Sequence, residues 1–115
     1  MSTKLIIPSE SDLSAFFGCE PTTSNPSEGQ WHYAVNDSTG IKLDFVLNYF
    51  ERSVRADLFS NKVQVASVTH EELNLLSVYK DLLNCEFENA NFKVTATIRV
   101  HPNISMIWGC LKFAG

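Results

Sequence analysis

The stretch Thr69-His70-Glu71-Glu72-Leu73-Asn74-Leu75-Leu76-Ser77-Val78-Tyr79-Lys80-Asp81-Leu82-Leu83-Asn84-Cys85 decides the fold, because it reads either as a helix or as a strand. The helical reading has the stronger local signals. Thr69 and Glu72 stand at the spacing of a capping box, and Val68 and Leu73 at that of a hydrophobic staple. Leu73, Leu76, Tyr79 or Lys80, and Leu83 follow at helical spacing, with Leu75, Leu82 and Cys85 widening the stripe. The competing reading, a strand across Leu73–Leu75, lacks a clean alternation. The spacing therefore predicts a helix over residues 70–84.

Upstream of this stretch the period is two. Trp31, Tyr33 and Val35 alternate with polar residues or alanine, and Asp37-Ser38-Thr39-Gly40 makes a turn. Ile41 to Tyr49 continues the alternation, Val54, Ala56 and Leu58 follow, and Ser60-Asn61 reads as a tight hairpin turn. Val63 and Val65 open a fourth strand whose phase slips at Ala66-Ser67-Val68, the mark of a bulge or an early end. Nearer the N-terminus, Ser9 and Asp12 cap a short helix over residues 10–17 that Gly18 stops. Between them Cys19–Gly29, with Pro21 and Pro26, reads as a long loop. Downstream, Phe92, Val94, Ala96, Ile98 and Val100 form the most regular strand pattern in the chain. Pro102-Asn103 turns it, and residues 104–113 return as a final strand.

The expected architecture is thus a single α+β domain over residues 1–115. Its antiparallel sheet has about six strands, a four-strand meander and a two-strand hairpin, with two helices packed on one face. A chain of 115 residues with 44% hydrophobic and 11% aromatic residues can build such a core without disulfides or metal.

Charge and motifs narrow the function. The formal charge is −4 and no basic run is present, which disfavours nucleic acid and anionic membranes as partners and favours a basic protein. Cys19, Cys85 and Cys110 have spacings that suit neither a disulfide framework nor zinc, and read as reduced thiols in a cytoplasmic protein. Leu5-Ile6-Ile7 before Pro8 is too short for a signal-peptide core. The five glycines are isolated, so no phosphate cradle is expected, and no serine sits in a nucleophile elbow. His32, His70 and His101 lie in separate elements; His32 and His101 fall on the polar sheet face, where a metal or acid–base pair is conceivable and exposed strand histidines are the ordinary reading. Cys19 follows a helix C-terminus, the wrong end of the dipole to activate a thiol. No catalytic residue, metal site or cofactor is expected.

The informative charges are Glu71, Glu72, Asp81, Glu86 and Glu88, opposed within residues 70–90 only by Lys80. A solvated face explains part of this, since Glu71 and Glu72 suit a helix N-terminus. The remainder reads as a recognition surface for a basic partner, with Phe59, Trp31 or Trp108 as aromatic anchors.

The small acidic chain, the helix end Leu13-Ser14-Ala15-Phe16-Phe17-Gly18 and the strand-rich body opening at Trp31-His32-Tyr33 resemble the bacterial immunity proteins of contact-dependent growth inhibition and other polymorphic toxin systems. The resemblance implies a cytoplasmic protein that catalyses nothing and blocks a cognate toxin, frequently a basic nuclease, by covering its active site. It transfers no residue by position. The alternative from the residues alone is a small-ligand-binding or enzymatic domain with a pocket between sheet and helices, lidded by residues 19–29. An assembly subunit is a third reading, and the oligomeric state is open.

Overall fold

The computed structural model describes residues 5–109 and 111–114. Cys110, read above as a reduced thiol, lies outside them. Among the described residues there is one α-helix, α1 (Glu10–Phe17), and ten strands: β1 (Thr23–Asn25), β2 (Gln30–Asn36), β3 (Ile41–Asn48), β4 (Ser53–Ser60), β5 (Val63–His70), β6 (Leu73–Tyr79), β7 (Leu82–Glu88), β8 (Lys93–Arg99), β9 (Ser105–Trp108) and β10 (Leu111–Ala114). They form two five-stranded antiparallel meanders, β1-β2-β3-β4-β5 and β10-β9-β8-β7-β6. The single six-stranded sheet with two helices is therefore wrong.

The helix expected over residues 70–84 is a hairpin, β6 turning into β7 at Lys80-Asp81, with Lys80 at φ 57°. Glu72 at φ 64° forbids the capping box, and Thr69 is instead paired with Arg55 across β4 and β5. The helical spacing has a specific origin. The register of β6 against β7 shifts between Leu73 and Leu75, so Asn74 is an extra residue. Leu73 and Leu76, three apart, then share the buried face as they would on a helix. Leu83, Cys85 and Phe87 alternate cleanly into the core from β7.

Smaller expectations also change. The loop over residues 19–29 contains β1, paired with β2, and a 3-10 turn at Pro26–Glu28. Residues 104–113 are two strands rather than one, broken at Gly109 with φ 58°. The bulge in β5 is present, but it sits at Val65, between the pairs Phe59–Gln64 and Leu58–Ala66. The N-terminal helix forms as expected: Ser9 Oγ accepts from Asp12 N at 3.1 Å, and Gly18 closes it at φ 72°.

Both sheets turn their apolar faces onto one shared core, and α1 seals it. Phe17 stacks on Tyr33 with ring centroids 4.5 Å apart and meets Phe45 at 5.1 Å. At one end the sheets are tied by Asp37, whose carboxylate accepts from Thr39 N, Thr39 Oγ1 and Ile41 N of the first sheet and from Ile104 N beside the second. Burial alone would raise this carboxyl, but those hydrogen bonds outweigh it and hold its pKa at about 2. At the other end His70 of β5 stacks against Phe87 and Trp108 of the second sheet, at 4.8 and 6.3 Å. That second end is the one carrying the acidic turns.

Candidate functional site

The acidic stretch does not stay together. Glu71 and Glu72 form the two-residue connection from β5 to β6, and Glu88 ends β7 beside them, its N–H donating to Glu72 O at 3.0 Å. Asp81 lies in the β6–β7 turn at the opposite end, 3.3 Å from Arg99 Nε. Glu86 stands on the outer face of the second sheet, 3.9 Å from Lys93 Nζ. Glu71, Glu72 and Glu88 are gathered; Glu86 stands two residues before Glu88 on the same face of β7, and Lys93, paired with Glu88 across β7 and β8, reaches Glu86. Asp81 alone of the five lies at the opposite end.

The antiparallel topology brings other glutamates to the same end. Gly29, which precedes β2, accepts from Tyr49 N at 2.7 Å in the turn between β3 and β4, and Arg52 O in that turn accepts from Leu73 N at 3.0 Å. With the Glu88–Glu72 bond these contacts lace together the four segments around Gly29, residues 49–52, residues 71–72 and Glu88. Glu28 and Glu51 are thereby added to Glu71, Glu72 and Glu88, all of them exposed, with Arg52 among them. Tight turns make this possible: Arg52 and Glu72 adopt φ of 51° and 64°. The acids therefore sit on a laced rim of short turns rather than on mobile loops.

An aromatic residue missed by periodicity stands within this rim. Phe50 is 66% exposed, packs edge-on to Tyr49 at 5.9 Å, and lies directly over Gly29, where a Cβ would come within 2.9 Å of the ring. Gly29 thus admits both the φ of 68° and the Phe50 ring. Beneath the rim, Trp108 Nε1 donates to His70 Nδ1 at 3.3 Å, and Phe92 meets the same imidazole edge-on at 5.6 Å. The aromatic anchors considered from sequence lie elsewhere: Trp108 is buried, Phe59 carries Lys42 over its ring at 5.6 Å, and Trp31 donates to Glu10 Oε1.

The carboxylates on the outer face of the first sheet are met by cations. On the outer face of the first sheet Asp44 and Asp57 face each other across β3 and β4. Lys42 Nζ and His32 Nε2 each stand 3.6 Å from Asp44, and Arg55 Nε 3.0 Å from Asp57, with Ser67 Oγ donating to Asp57 at 2.6 Å. The acidic rim gathers five carboxylates against Arg52 and Lys93, the latter paired with Glu88 across β7 and β8; Glu10 and Glu20 beside α1 make a second, smaller acidic group.

The chemistry considered for the histidines is not assembled. His32 belongs to the outer face of the first sheet, whereas the exposed His101 ring lies against Gly18 at the end of α1. Among the described residues no three His, Cys, Asp or Glu side chains are grouped to hold a metal. Burial, followed by the charge of Glu20, raises the Cys19 thiol above its ordinary value, and burial pushes Cys85 up further, so both are protonated at neutral pH. A groove of 600 Å³ lies between Ile6–Pro8, α1 and β6, lined by Phe16, Leu75 and Val78 with Asp12 and Lys80 at its rim. Neither His32 nor His101 lines it.

No family model matches the chain, and no curated protein does. Among solved structures, a chain of a contact-dependent growth inhibition toxin–immunity protein complex from Klebsiella pneumoniae 342 is similar, with a TM-score of 0.85 and 17% identity. The likeness covers 93% of this chain and 97% of that one. The two share a fold over nearly their whole lengths, and the resemblance noted in the sequence holds at that level.

Proposed function

We propose that the protein is a non-catalytic, cytoplasmic immunity protein that neutralises a cognate toxin by laying its acidic rim over a basic active site. The observation that carries this reading is the near-complete sharing of fold with a chain of a toxin–immunity complex. The choice of the immunity role rests on the rim: Glu28, Glu51, Glu71, Glu72 and Glu88 converge on one end, on turns laced by backbone hydrogen bonds. A surface of that sign complements a nuclease, whose substrate groove must attract phosphates.

Each part of the rim has a role in the proposed mechanism. The glutamates steer the encounter, since complementary potentials raise association rates by about 10- to 1,000-fold. Phe50 supplies the desolvated anchor at the centre, and aromatic residues so placed dominate interface energies. Pre-organisation by the laced turns lowers the ordering cost of binding. Occlusion, not chemistry, inhibits the toxin.

The test is capture of the partner by the tagged protein from its native lysate, washed at low and then high salt. One basic protein released by salt supports the reading, and co-purification must be lost in a Glu71→Lys, Glu72→Lys variant. Capture unchanged by that double reversal would remove the rim from the mechanism.

A further inference from the structure

Four outer strand edges bound the two sheets, and three of them are short or covered. β1 has three residues and β10 four. The edge of β6 is occupied by the N-terminal segment, with Ile6 N donating to Asn74 O at 3.4 Å and Leu76 N to Ile6 O at 2.9 Å. β5 is different. It is eight residues long, and among the described residues no strand or loop pairs with its outer edge.

Natural edges of that length are guarded by lysines, prolines, inward-pointing charges or β-bulges. From Val63 to Thr69 β5 has only a bulge, and Val63 and Val65 are 64% and 49% exposed. Its bulge at Val65 lies near one end and leaves Ala66 to His70 in regular register. Such a strand is a template for another strand.

The flanks identify which one. Lys62 immediately precedes β5, while Glu71 and Glu72 immediately follow it. The same segment laid antiparallel, with its two-fold axis near Ser67, brings Lys62 of each copy to Glu71-Glu72 of the other, twice over. We infer that β5 pairs with β5 of a second copy of this chain, joining two five-stranded sheets into one of ten strands. An isologous contact of this kind satisfies the backbone groups of both edges and closes on itself, because each copy has one such edge to offer. One strand pair with a few valines belongs among the small, weak interfaces, so the dimer forms with concentration. The dimer needs no toxin, but it draws on Glu71 and Glu72 of the proposed rim, so a second copy and a toxin would compete for them.

The experiment is sedimentation velocity of the purified protein alone over a wide concentration range, with thermal midpoints confirming that each variant is folded. The wild type is expected to rise from 12.9 kDa toward twice that mass and stop there. Val65→Lys installs an edge guard and should hold the protein monomeric. Lys62→Glu should weaken the dimer about tenfold, since two symmetry-related attractions become repulsions together. Adding Glu71→Lys to that variant should restore it. A wild type monomeric at every concentration would overturn the inference, as would growth beyond two copies or a Lys62→Glu variant that dimerises normally. A monomer whose toxin binding fails on Val65→Lys would assign the edge to a foreign strand, which also overturns it.

Discussion

Asp37 concentrates more hydrogen bonds than any other side chain described here, and it accepts them from both halves of the molecule. Its folded pKa of about 2 lies below the ordinary value of 3.8. A carboxyl whose pKa is lower in the folded state contributes stability that is complete above its unfolded pKa. That contribution fades as pH falls from near 4 through about 2. Asp37→Ala should therefore cost about 2 kcal/mol in urea denaturation at pH 7. At pH 2 the difference from wild type should shrink markedly, and an equal loss at both pH values would mean that the carboxylate charge is not what stabilises. At the opposite end, Phe50→Ala should leave stability within about 0.5 kcal/mol of wild type, because the ring is mostly exposed. Toxin affinity, measured by calorimetry, should fall by about 2 kcal/mol.

At the scale of elements, the hairpin β6–β7 makes a prediction that the helical reading does not. Leu76 and Leu83 are buried to 1% and 0% exposure, while Leu82, adjacent to Leu83, is on the other face and only partly buried. Leu76→Ala and Leu83→Ala should each cost about 3 kcal/mol, and Leu82→Ala less than about 1 kcal/mol. Similar losses at all three, measured by chemical denaturation, would contradict the hairpin. The regular strands were legible in the sequence because their alternation is unbroken: β2, β3, β4 and β8 lie where the period places them. The capped helix α1 was legible for the same local reason. The hairpin was not, because one inserted residue, Asn74, converts a two-residue period into a three-residue step at its most apolar point. A capping-box motif beside that step completed a false helix signature. Local propensity lost to the pairing partners that β7 finds in β8, a long-range fact with no local trace.

For the whole molecule, what periodicity could not supply was the meeting of distant turns. Glu71 and Glu72 belong to an acidic run in the sequence, yet the β2–β3–β4–β5 meander also brings the turns bearing Glu51 and Glu28 to their end of the molecule. Asp81, near them in sequence, is carried to the opposite end by the hairpin and met by Arg99, whereas Glu86 stays beside Glu88 on β7 and is met by Lys93. Charge along a chain thus indicated that an acidic surface exists; topology decided where it is. Glutamates outnumber Arg52 and Lys93 at one end, while at the other Lys42 and Arg99 are matched by Asp44 and Asp81. Under the proposed function that difference would orient a basic toxin before contact, and the effect should fade with ionic strength, since the screening length is about 8 Å at physiological salt.

The central claim, that the laced acidic rim is the toxin-binding surface, is tested most directly by stopped-flow association kinetics with the purified cognate toxin. Wild type would be compared with the Glu51→Lys, Glu71→Lys double variant across a range of salt. The variant should associate at least about tenfold more slowly at low salt and show a flattened salt dependence, with both proteins converging at high salt. Identical rates and identical salt slopes would contradict it and move the interface to another surface of the fold.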